Sequence, residues 1–313
     1  MVFYGIIYAL LENDMRRILA YSIVNQVGFM VTGIGIGTEM ALNGAAAHAF
    51  THIIYKALLL MSAGSVLLMT GKRKCSDLGG LFQSMPLTTV CGIIGALSIS
   101  SFPLTSGFVS KSMISQAAAD ESLMIVWYLL AAASAGVFLH AGIKFPWFVF
   151  FQKDSGLRPP DPPLNMRLAM ILFAALCIGV GVFPGPLYSI LPFPVDYVPY
   201  TAAHVLTMLQ LLLFSGLAFF ICLPLMKRTL TISLDVDWLY RRLTSATIRK
   251  LIAIFGPIDQ AIRASVLAGL NQAIGRVYRF LGPEGVMART IPAGAMVYWA
   301  VTLLVVYLVL NLI

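Results

Sequence analysis

Apolar residues come in long runs along this chain, and most runs approach or exceed the roughly 20 residues with which a helix crosses a bilayer. The spans predicted from this pattern are residues 1–11, 18–37, 41–70, 87–118, 123–151, 167–192, 202–225 and 292–313. The first span is too short to cross alone, and we interpret it as the end of a helix whose beginning is missing. The pattern predicts an all-α polytopic membrane protein with about eight spans.

The composition agrees with this pattern and disfavours a soluble enzyme. Of 313 residues, 59% are hydrophobic and 11% are charged, whereas a soluble domain typically has about 25% charged residues. The four cysteines show neither metal nor redox spacing. The sequence also contains no phosphate loop, nucleophile elbow or paired carboxylates, so it predicts no cofactor and no metal site.

The basic residues are distributed asymmetrically, and their distribution orients the chain in the membrane. The loops predicted on one side are 12–17, 72–86, 152–166 and 226–291. Together with Arg167 they hold 18 of the 21 Lys and Arg residues, whereas the opposite loops hold none. By the positive-inside rule the basic loops are predicted to be cytoplasmic, in a bacterial inner membrane. The net charge of +8 therefore indicates membrane orientation and lipid contact rather than nucleic-acid binding.

Three lysines remain, and all of them lie inside predicted spans: Lys56, Lys111 and Lys144. An ionisable side chain within a transmembrane helix costs several kcal/mol and is a functional hypothesis by default. Each of these lysines is accompanied by other polar residues, and we examine them in chain order.

The third span contains HAFTHIIYKALLL, in which His48, His52 and Lys56 follow one another at four-residue intervals. Such residues form one stripe on a helix, about 6 Å apart along its axis, and water could bridge those gaps. Histidine exchanges protons near neutral pH. The alternative is two packed histidines and a lysine that snorkels to the surface, which is hard from the middle of a long span.

The fourth span contains SISSFPLTSGFVSKSMI, where Pro103 and Gly107 predict a broken helix near residues 98–112. Breaks at membrane depth are tolerated inside protein or beside water, and they mark ion sites in transporters. Lys111 follows the break directly among many hydroxyl side chains. The alternative is a plain proline kink with a structural lysine.

The fifth span ends in LHAGIKFPWFVFF, which places His140 and Lys144 one helical turn apart. We include both in the predicted proton relay, although Lys144 could instead lie near the cytoplasmic boundary with a structural role. His204, at the start of the seventh span, is interpreted as having no functional role.

The pattern of residues 226–291 predicts an amphipathic segment that lies along the cytoplasmic face. An apolar stripe alternates with arginines, Pro257 is predicted to divide the segment into two helices, and Gly282-Pro283 is predicted to end it. Two interpretations stay open: a surface helix in anionic lipid, or a brace against a neighbouring subunit or the chain's own helices.

Four stretches carry a resemblance to the proton-pumping/antiporter membrane subunit family, which includes the large membrane subunits of respiratory complex I and Mrp-type antiporters. They are DMRRILAYSIVNQVGFM (14–30), HAFTHIIYKALLLMSAGSV (48–66), DLGGLFQSMPLT (77–88) and FPLTSGFVSKSMI (102–114). The later LDVDWLYRRL (234–243) is most similar to the D subunit of multi-subunit cation/proton antiporters.

The resemblance implies two inverted five-helix repeats, each with a broken helix. Residues 1–151 would be the second repeat with its start missing, followed by two further helices (152–225), the lateral segment (226–291) and a terminal anchor (292–313). Lys111 would be the broken-helix lysine, and His48, His52 and Lys56 its connecting relay. The glutamate–lysine pair of the first repeat has no counterpart in this sequence.

The resemblance implies a proton-translocating subunit of a multi-subunit Na⁺/H⁺ antiporter. Its implied partners are the other antiporter subunits. The transported ions would be protons, with Na⁺ as the candidate cation. Two alternatives stay open. One is a membrane-arm subunit of an NADH:quinone oxidoreductase-like or hydrogenase-like complex, which would not itself do redox chemistry. The other is a non-transporting membrane scaffold, against which the three buried lysines argue.

Overall fold

The computed structural model describes residues 1–224 and 238–312, and helices make up most of both ranges. Within these ranges the only β-type pairing is an isolated bridge between Asp14 and Lys74. The chain divides into two compact units, Met1–Ser233 and Leu234–Ile313. The predicted all-α class is confirmed. Residues 225–237, which include the first part of the 234–243 stretch, and Ile313 lie outside the described residues.

The described part of the first unit contains nine α-helices, of which α8 is a single short turn and α6 continues in π-helical turns. They are α1 (Val2–Leu11), α2 (Met15–Ile36), α3 (Glu39–Thr70), α4 (Pro86–Ile99), α5 (Ser106–Asp120), α6 (Met124–Val137), α7 (Leu164–Val182), α8 (Gly185–Tyr188) and α9 (Ala202–Ile221). Across the described ranges, seven helical segments are long and apolar enough to cross a membrane. The polytopic membrane class predicted from the apolar runs is confirmed.

The predicted span 87–118 is divided into α4 and α5, which are joined by the non-helical residues 100–105. This interruption confirms the predicted broken helix near 98–112. Pro103 lies within it. Two of its non-glycine residues, Ser101 and Leu104, have φ of 60° and 66°, a left-handed conformation that is maintained only where the surrounding structure enforces it.

Gly107 does not lie in the interruption, contrary to the prediction that it helps break the helix. It lies in the first turn of α5, where a Cβ atom would overlap the carbonyl oxygen of Ser98. Its missing side chain therefore lets the start of α5 approach the end of α4 closely. The glycine keeps the two half-helices together, while the residues before it make the break.

Two other predicted spans also differ in detail. The helix that begins as α6 continues in π-helical turns over Phe138–Lys144 and Trp147–Phe151. The span predicted to reach residue 192 ends as α7 at Val182, because Pro184 and Pro186 follow directly and lack the N–H groups that would continue the helix. The short helix α8 and an irregular stretch up to residue 201 follow.

The basic loops of the first unit contact one another at one end of the helices, which we call the basic end. These loops comprise residues 12–14, 71–85 and 152–163. Side-chain contacts join Asn13 to Ser76, Arg73 to Asp14, Gln152 to Cys75, and Asp161 to Thr88 at the start of α4. Three of the four loops that were predicted to share one side of the membrane thus lie together.

The loops at the other end of the helices, which we call the opposite end, include residues 183–201. Asn43 of α3 binds the backbone of Phe193 twice, through Nδ2 to the carbonyl at 2.9 Å and through Oδ1 to the amide at 3.0 Å. The Tyr188 hydroxyl donates to the carbonyl of Val109 in α5 at 2.9 Å. These bonds hold the 183–201 loop against the N-terminal parts of α3 and α5.

Helix α3 is the central element of the first unit, since α2, α4, α5 and α7 all pack against it. Its contact with α5 is close because Gly44 faces Ile114, leaving no room for a side chain there. Buried polar side chains concentrate on α2, α3 and α5. The candidate relay residues of α3 consequently lie among polar neighbours rather than lipid.

The second unit contains a π-helical turn (Leu239–Thr244), α10 (Ser245–Leu281) and α11 (Ala293–Leu312). Pro257 does not divide the segment, contrary to the prediction, because it lies inside the continuous helix α10. A proline inside a helix costs about 3 kcal/mol, which the remaining turns of this long helix offset. Gly282 follows the last residue of α10, as predicted.

Candidate functional site

His48 lies at the centre of a buried hydrogen-bond chain that crosses from α5 to α2. Its Nδ1 lies 3.1 Å from the Ser110 hydroxyl, and its Nε2 lies 3.0 Å from Oε1 of Gln26. The side chains of His48, Ser110 and Gln26 are all fully buried. One imidazole therefore connects the helix that carries Lys111 with the helix that receives Lys56.

The neighbours of Gln26 indicate which nitrogen of His48 carries the proton. The amide nitrogen of Gln26 donates to Oδ1 of Asn25 at 2.7 Å, so its carbonyl oxygen faces His48. A carbonyl oxygen only accepts, and His48 must therefore donate from Nε2. Its Nδ1 is then an acceptor, and the Ser110 hydroxyl donates to it.

The Ser110 hydroxyl has more than one acceptor within reach. Besides Nδ1 of His48, the carbonyls of Ser106 and Gly107 lie 3.3 Å and 3.5 Å away. Its oxygen also lies 2.8 Å from the Thr51 hydroxyl. If His48 gains a proton at Nδ1, the Ser110 hydroxyl can turn its own proton to the backbone of α5. Charging His48 thereby changes the hydrogen bonding one residue away from Lys111.

Lys56 points from α3 toward α2 and ends on two oxygen atoms. Its amine donates to the Ser22 hydroxyl at 2.8 Å and to the carbonyl of Leu19 at 3.3 Å. The side chain is only 4% exposed, so Lys56 does not snorkel to a surface of this unit. The predicted alternative of a surface-reaching lysine does not describe it.

His52 lies on the same face of α3 between His48 and Lys56. The ring centroids of His48 and His52 are 6.3 Å apart, and Tyr55 lies edge-on to His52 at 5.4 Å. Among the described residues, none bonds the buried Nε2 of His52. A buried polar atom without a protein partner is a position where bound water is expected.

Lys111 reaches back from α5 to the end of α4. Its amine donates at 2.8 Å to the carbonyl of Ile99, which belongs to the last turn before the interruption and is freed by it. The amine also lies 4.9 Å from the centroid of the Phe29 ring. A cation at a helix C-terminus is favourable, so the broken helix itself provides the position for this charge.

Lys111 also lines a cavity of about 300 Å³ that lies between α5, α6 and α9. The polar residues around it are Ser101, Ser112, Ser115, Gln116, Ser134, Thr201, His204 and Thr207. Two of the lining residues, Gln116 and Thr201, are exposed and lie near the opposite end. The cavity therefore opens toward that end. At roughly 30 Å³ for each water, the cavity has room for about ten.

Lys144 is held differently, at the basic end. Its amine donates to three backbone carbonyls at the end of α1, those of Ala9 at 2.9 Å, Leu10 at 2.5 Å and Glu12 at 2.7 Å. An ammonium group has three protons, so all of its donors are used. Lys144 thus caps the C-terminus of α1.

His140 lies in the same π-helical turns as Lys144. Its Nδ1 bonds to the carbonyl of Gly136 at 2.7 Å, and its buried Nε2 has no partner among the described residues. π-Helical turns are frequent at functional sites. The structure places Lys144 against the end of α1, whereas His48, His52 and Lys56 share one face of α3.

Sequence reasoning missed three residues of this site: Gln26, Tyr55 and His204. Gln26 accepts from the Tyr55 hydroxyl at 3.1 Å as well as from His48. Adjacent amides within an apolar span, Asn25 and Gln26, were a visible signal that α2 faces polar neighbours. His204 carried no such signal, because only the fold brings the start of α9 beside α5.

Residues 1–138 match the profile of the family described as NADH:quinone oxidoreductase/Mrp antiporter, TM. This match covers a little under half of the 313 residues. The matched range includes the α3 stripe and Lys111, and it ends just before His140 and Lys144.

Several curated proteins are similar over a comparable stretch. The chain is 32% identical to the D subunit of the Na⁺/H⁺ antiporter of Alkalihalophilus pseudofirmus, over 60% of this chain and 38% of that protein. It is 30% identical to the A/B subunit of a probable K⁺/H⁺ antiporter of Rhizobium meliloti, over 58% of this chain and 19% of that protein. The N subunit of the NADH-quinone oxidoreductase of Desulforudis audaxviator is 32% identical over 58% and 38%. The chain thus spans well under half the length of these relatives.

Two solved structures share the fold. A chain of the Mrp complex from Dietzia sp. DQ12-45-1b superposes with a TM-score of 0.54 at 20% identity, covering 59% of this chain and 43% of that one. A chain of the archaeal membrane-bound sulfane sulfur reductase superposes with a TM-score of 0.59 at 24% identity, covering 98% of this chain and 54% of that one. At these identities the two structures are evidence for the fold alone.

Proposed function

We propose that this chain is a proton-translocating membrane subunit of a multi-subunit cation/proton antiporter, with Na⁺ as the candidate cation. The observation that carries the proposal is the position of Lys111. Its side chain is 2% exposed, and its amine lies on the freed carbonyl of a broken helix and borders a cavity large enough for water. The family match over residues 1–138 supports the same function.

In the proposed mechanism, protons pass by water among His48, His52, Lys56 and Lys111. Two positive charges a few ångströms apart repel strongly where water is scarce, so charging one site disfavours charging the next. The Ser110 hydroxyl connects His48 to the helix of Lys111. An event in an adjoining subunit that charges or discharges one residue would thereby move a proton at the other.

We further propose that residues 1–151 are the second repeat of the family's architecture, followed by residues 152–225, 226–291 and 292–313 as two further helices, lateral segment and anchor. The chain would lie in a bacterial inner membrane with its basic end in the cytoplasm, as the positive-inside rule predicts. Its proposed partners are the other subunits of the antiporter complex and the surrounding lipid.

A dye-based antiport assay tests this proposal. Vesicles that carry the complete set of subunits are compared with vesicles that lack only this chain, and a pH-sensitive dye reports proton movement when Na⁺ is added. The proposal expects Na⁺-driven proton movement only in the complete set. Equal movement without the chain would instead support the scaffold interpretation.

A second candidate function is a membrane-arm component of a redox-driven complex. A relative in Methanosarcina mazei, the L subunit of F420H2 dehydrogenase, is 33% identical over 54% of this chain. Dehydrogenase or hydrogenase genes beside this one would favour the redox complex, and small genes for other antiporter components would favour the antiporter. Proton movement driven by an electron donor in the vesicles would decide for the redox complex.

A further inference from the structure

His204 is held in a fixed position at the start of α9. Thr201 caps this helix through its side chain, which accepts from the His204 amide at 3.3 Å. The His204 ring stacks on Phe108 with centroids 4.6 Å apart and planes 23° apart. Phe108 lies one helical turn before Lys111 on α5, so this contact ties the ring to the helix of the broken-helix lysine.

The hydrogen bonding of the ring leaves one nitrogen able to accept a proton. Nδ1 of His204 lies 2.8 Å from the carbonyl oxygen of Pro199, which can only accept, so Nδ1 carries a proton. In a neutral ring Nε2 is then the basic atom. None of the described residues forms a hydrogen bond with Nε2 in the structure, and the ring borders the cavity.

That cavity is the one that Lys111 lines, and its volume of about 300 Å³ has room for water between the two residues. Lys111 borders it from α5 and His204 from α9, whose first turn lies at the opposite end. The remaining lining groups are hydroxyl, amide and apolar side chains, with no carboxylate among the described residues.

The elements around His204 present few other ionisable groups. The α5 side contributes Lys111, and the 183–201 loop contributes Tyr200, which stacks on Phe108 at 5.1 Å. The α6 residues along the cavity, such as Trp127 and Ser134, do not titrate in the physiological range. His140 and Lys144 belong to the π-helical turns against α9, and both bond to backbone carbonyls.

We propose that His204 is the proton-exchanging residue at the mouth of the Lys111 cavity, passing protons between cavity water and the solution at the opposite end. This inference rests on the proposed proton translocation. In the outward direction, an N–H bond of the Lys111 ammonium breaks and its proton moves through water to Nε2 of His204. The imidazolium then releases that proton to bulk water and regains its neutral form. The inward direction reverses these steps.

The test uses the complete complex in vesicles, with His204→Asn compared with the wild type. We expect about tenfold or more loss of proton flux, within the range that one acid–base group contributes. Imidazole buffer added at the opposite end should restore much of the loss, because it supplies the missing base in solution. Thr207→Val, which also alters the cavity lining, is the control whose flux should not respond to imidazole.

The outcomes separate this inference from the proposal beneath it. A wild-type complex without proton flux would overturn the proposed function and this inference with it. Normal flux in His204→Asn, with wild-type transport intact, would overturn only the inference. A deficit in a stably assembled His204→Asn complex that imidazole does not repair would also overturn it, by assigning His204 a structural role.

Discussion

The two ends of this membrane unit hold a buried lysine in contrasting ways. At the basic end, the Lys144 amine binds three carbonyls of α1, and all of its protons have acceptors. On the side of the opposite end, the Lys111 amine has one carbonyl acceptor and borders a cavity of about 300 Å³. Both amines bind carbonyl oxygens at the C-terminus of a helix. Lys144 uses all three of its N–H groups in this way, whereas Lys111 uses one and has space for water beside it.

The difference shows that burial of a lysine does not by itself identify a proton carrier. An amine whose three donors are all satisfied by backbone is stabilised in its charged form and acts as a fixed cap. An amine with one fixed partner and adjacent water can exchange its proton without leaving carbonyls unpaired. We therefore propose that Lys111 exchanges the transported proton and that Lys144 has a structural role, although sequence reasoning placed both in one relay.

The largest effect is expected for Lys111→Ala, which should abolish coupled proton transport. The substitution removes the exchanging amine and leaves a single α4 carbonyl that cavity water can reach. Flux in dye-loaded vesicles should fall to background, while the amount of assembled complex stays near that of wild type. Wild-type flux in this variant would refute the assignment.

Lys144→Met should reduce stability rather than abolish the transport step. Three carbonyls lose their donor, and a buried unsatisfied polar group costs about 1–3 kcal/mol. The thermal unfolding transition of the complex should therefore drop clearly, and the flux per assembled complex should stay close to wild type. Lys153→Met, at an exposed lysine of the same end, serves as the matched control and should not shift the transition. Unchanged stability of Lys144→Met would contradict the cap.

A smaller effect is expected for Ser110→Ala, which removes the hydroxyl between His48 and α5. The loss of one hydrogen bond of about 1 kcal/mol corresponds to roughly a fivefold fall in flux. Ser115→Ala, at a cavity hydroxyl on the same helix, is the comparison and should reduce flux less. Equal effects of the two substitutions would show that Ser110 has no special place in the path.

The smallest effect concerns the loops of the basic end. Arg158 bonds to Asp154 at 2.9 Å and holds the pKa of that carboxyl well below its ordinary value of 3.8. A carboxyl with a lowered folded pKa contributes stability above its ordinary pKa and loses it only as the pH falls through the lowered value. The Gly156 amide bonds to Asp154. Its protection factor against hydrogen exchange should therefore stay constant from about pH 5 to about pH 8. A change within that range would indicate another titrating partner.

Much of the membrane architecture was predictable, because apolar length and the distribution of basic residues are strong local signals. The interruption between α4 and α5 was also predictable, since Pro103 cannot continue a helix. The role of Gly107 was not, because its constraint comes from the carbonyl of Ser98, which only the fold brings near. Pro257 was misjudged because a single lost hydrogen bond does not end a helix whose other turns remain intact.

The site was predictable only in part, for a related physical reason. Four-residue spacing places His48, His52 and Lys56 on one face of α3, but it does not show what that face meets. The partners on α2 and the cavity shared with His204 depend on contacts between distant parts of the chain. Whether a lysine caps a helix or borders water is likewise decided by its neighbours, so Lys111 and Lys144 could not be distinguished from sequence.

The most direct test of the central claim compares Lys111→Arg with Lys144→Arg in the same vesicle assay. An arginine remains charged and can bind carbonyls, but it does not give up its proton under physiological conditions. The account predicts background flux for Lys111→Arg and flux close to wild type for an assembled Lys144→Arg complex. Wild-type flux in Lys111→Arg would contradict the claim that a proton is exchanged at this amine.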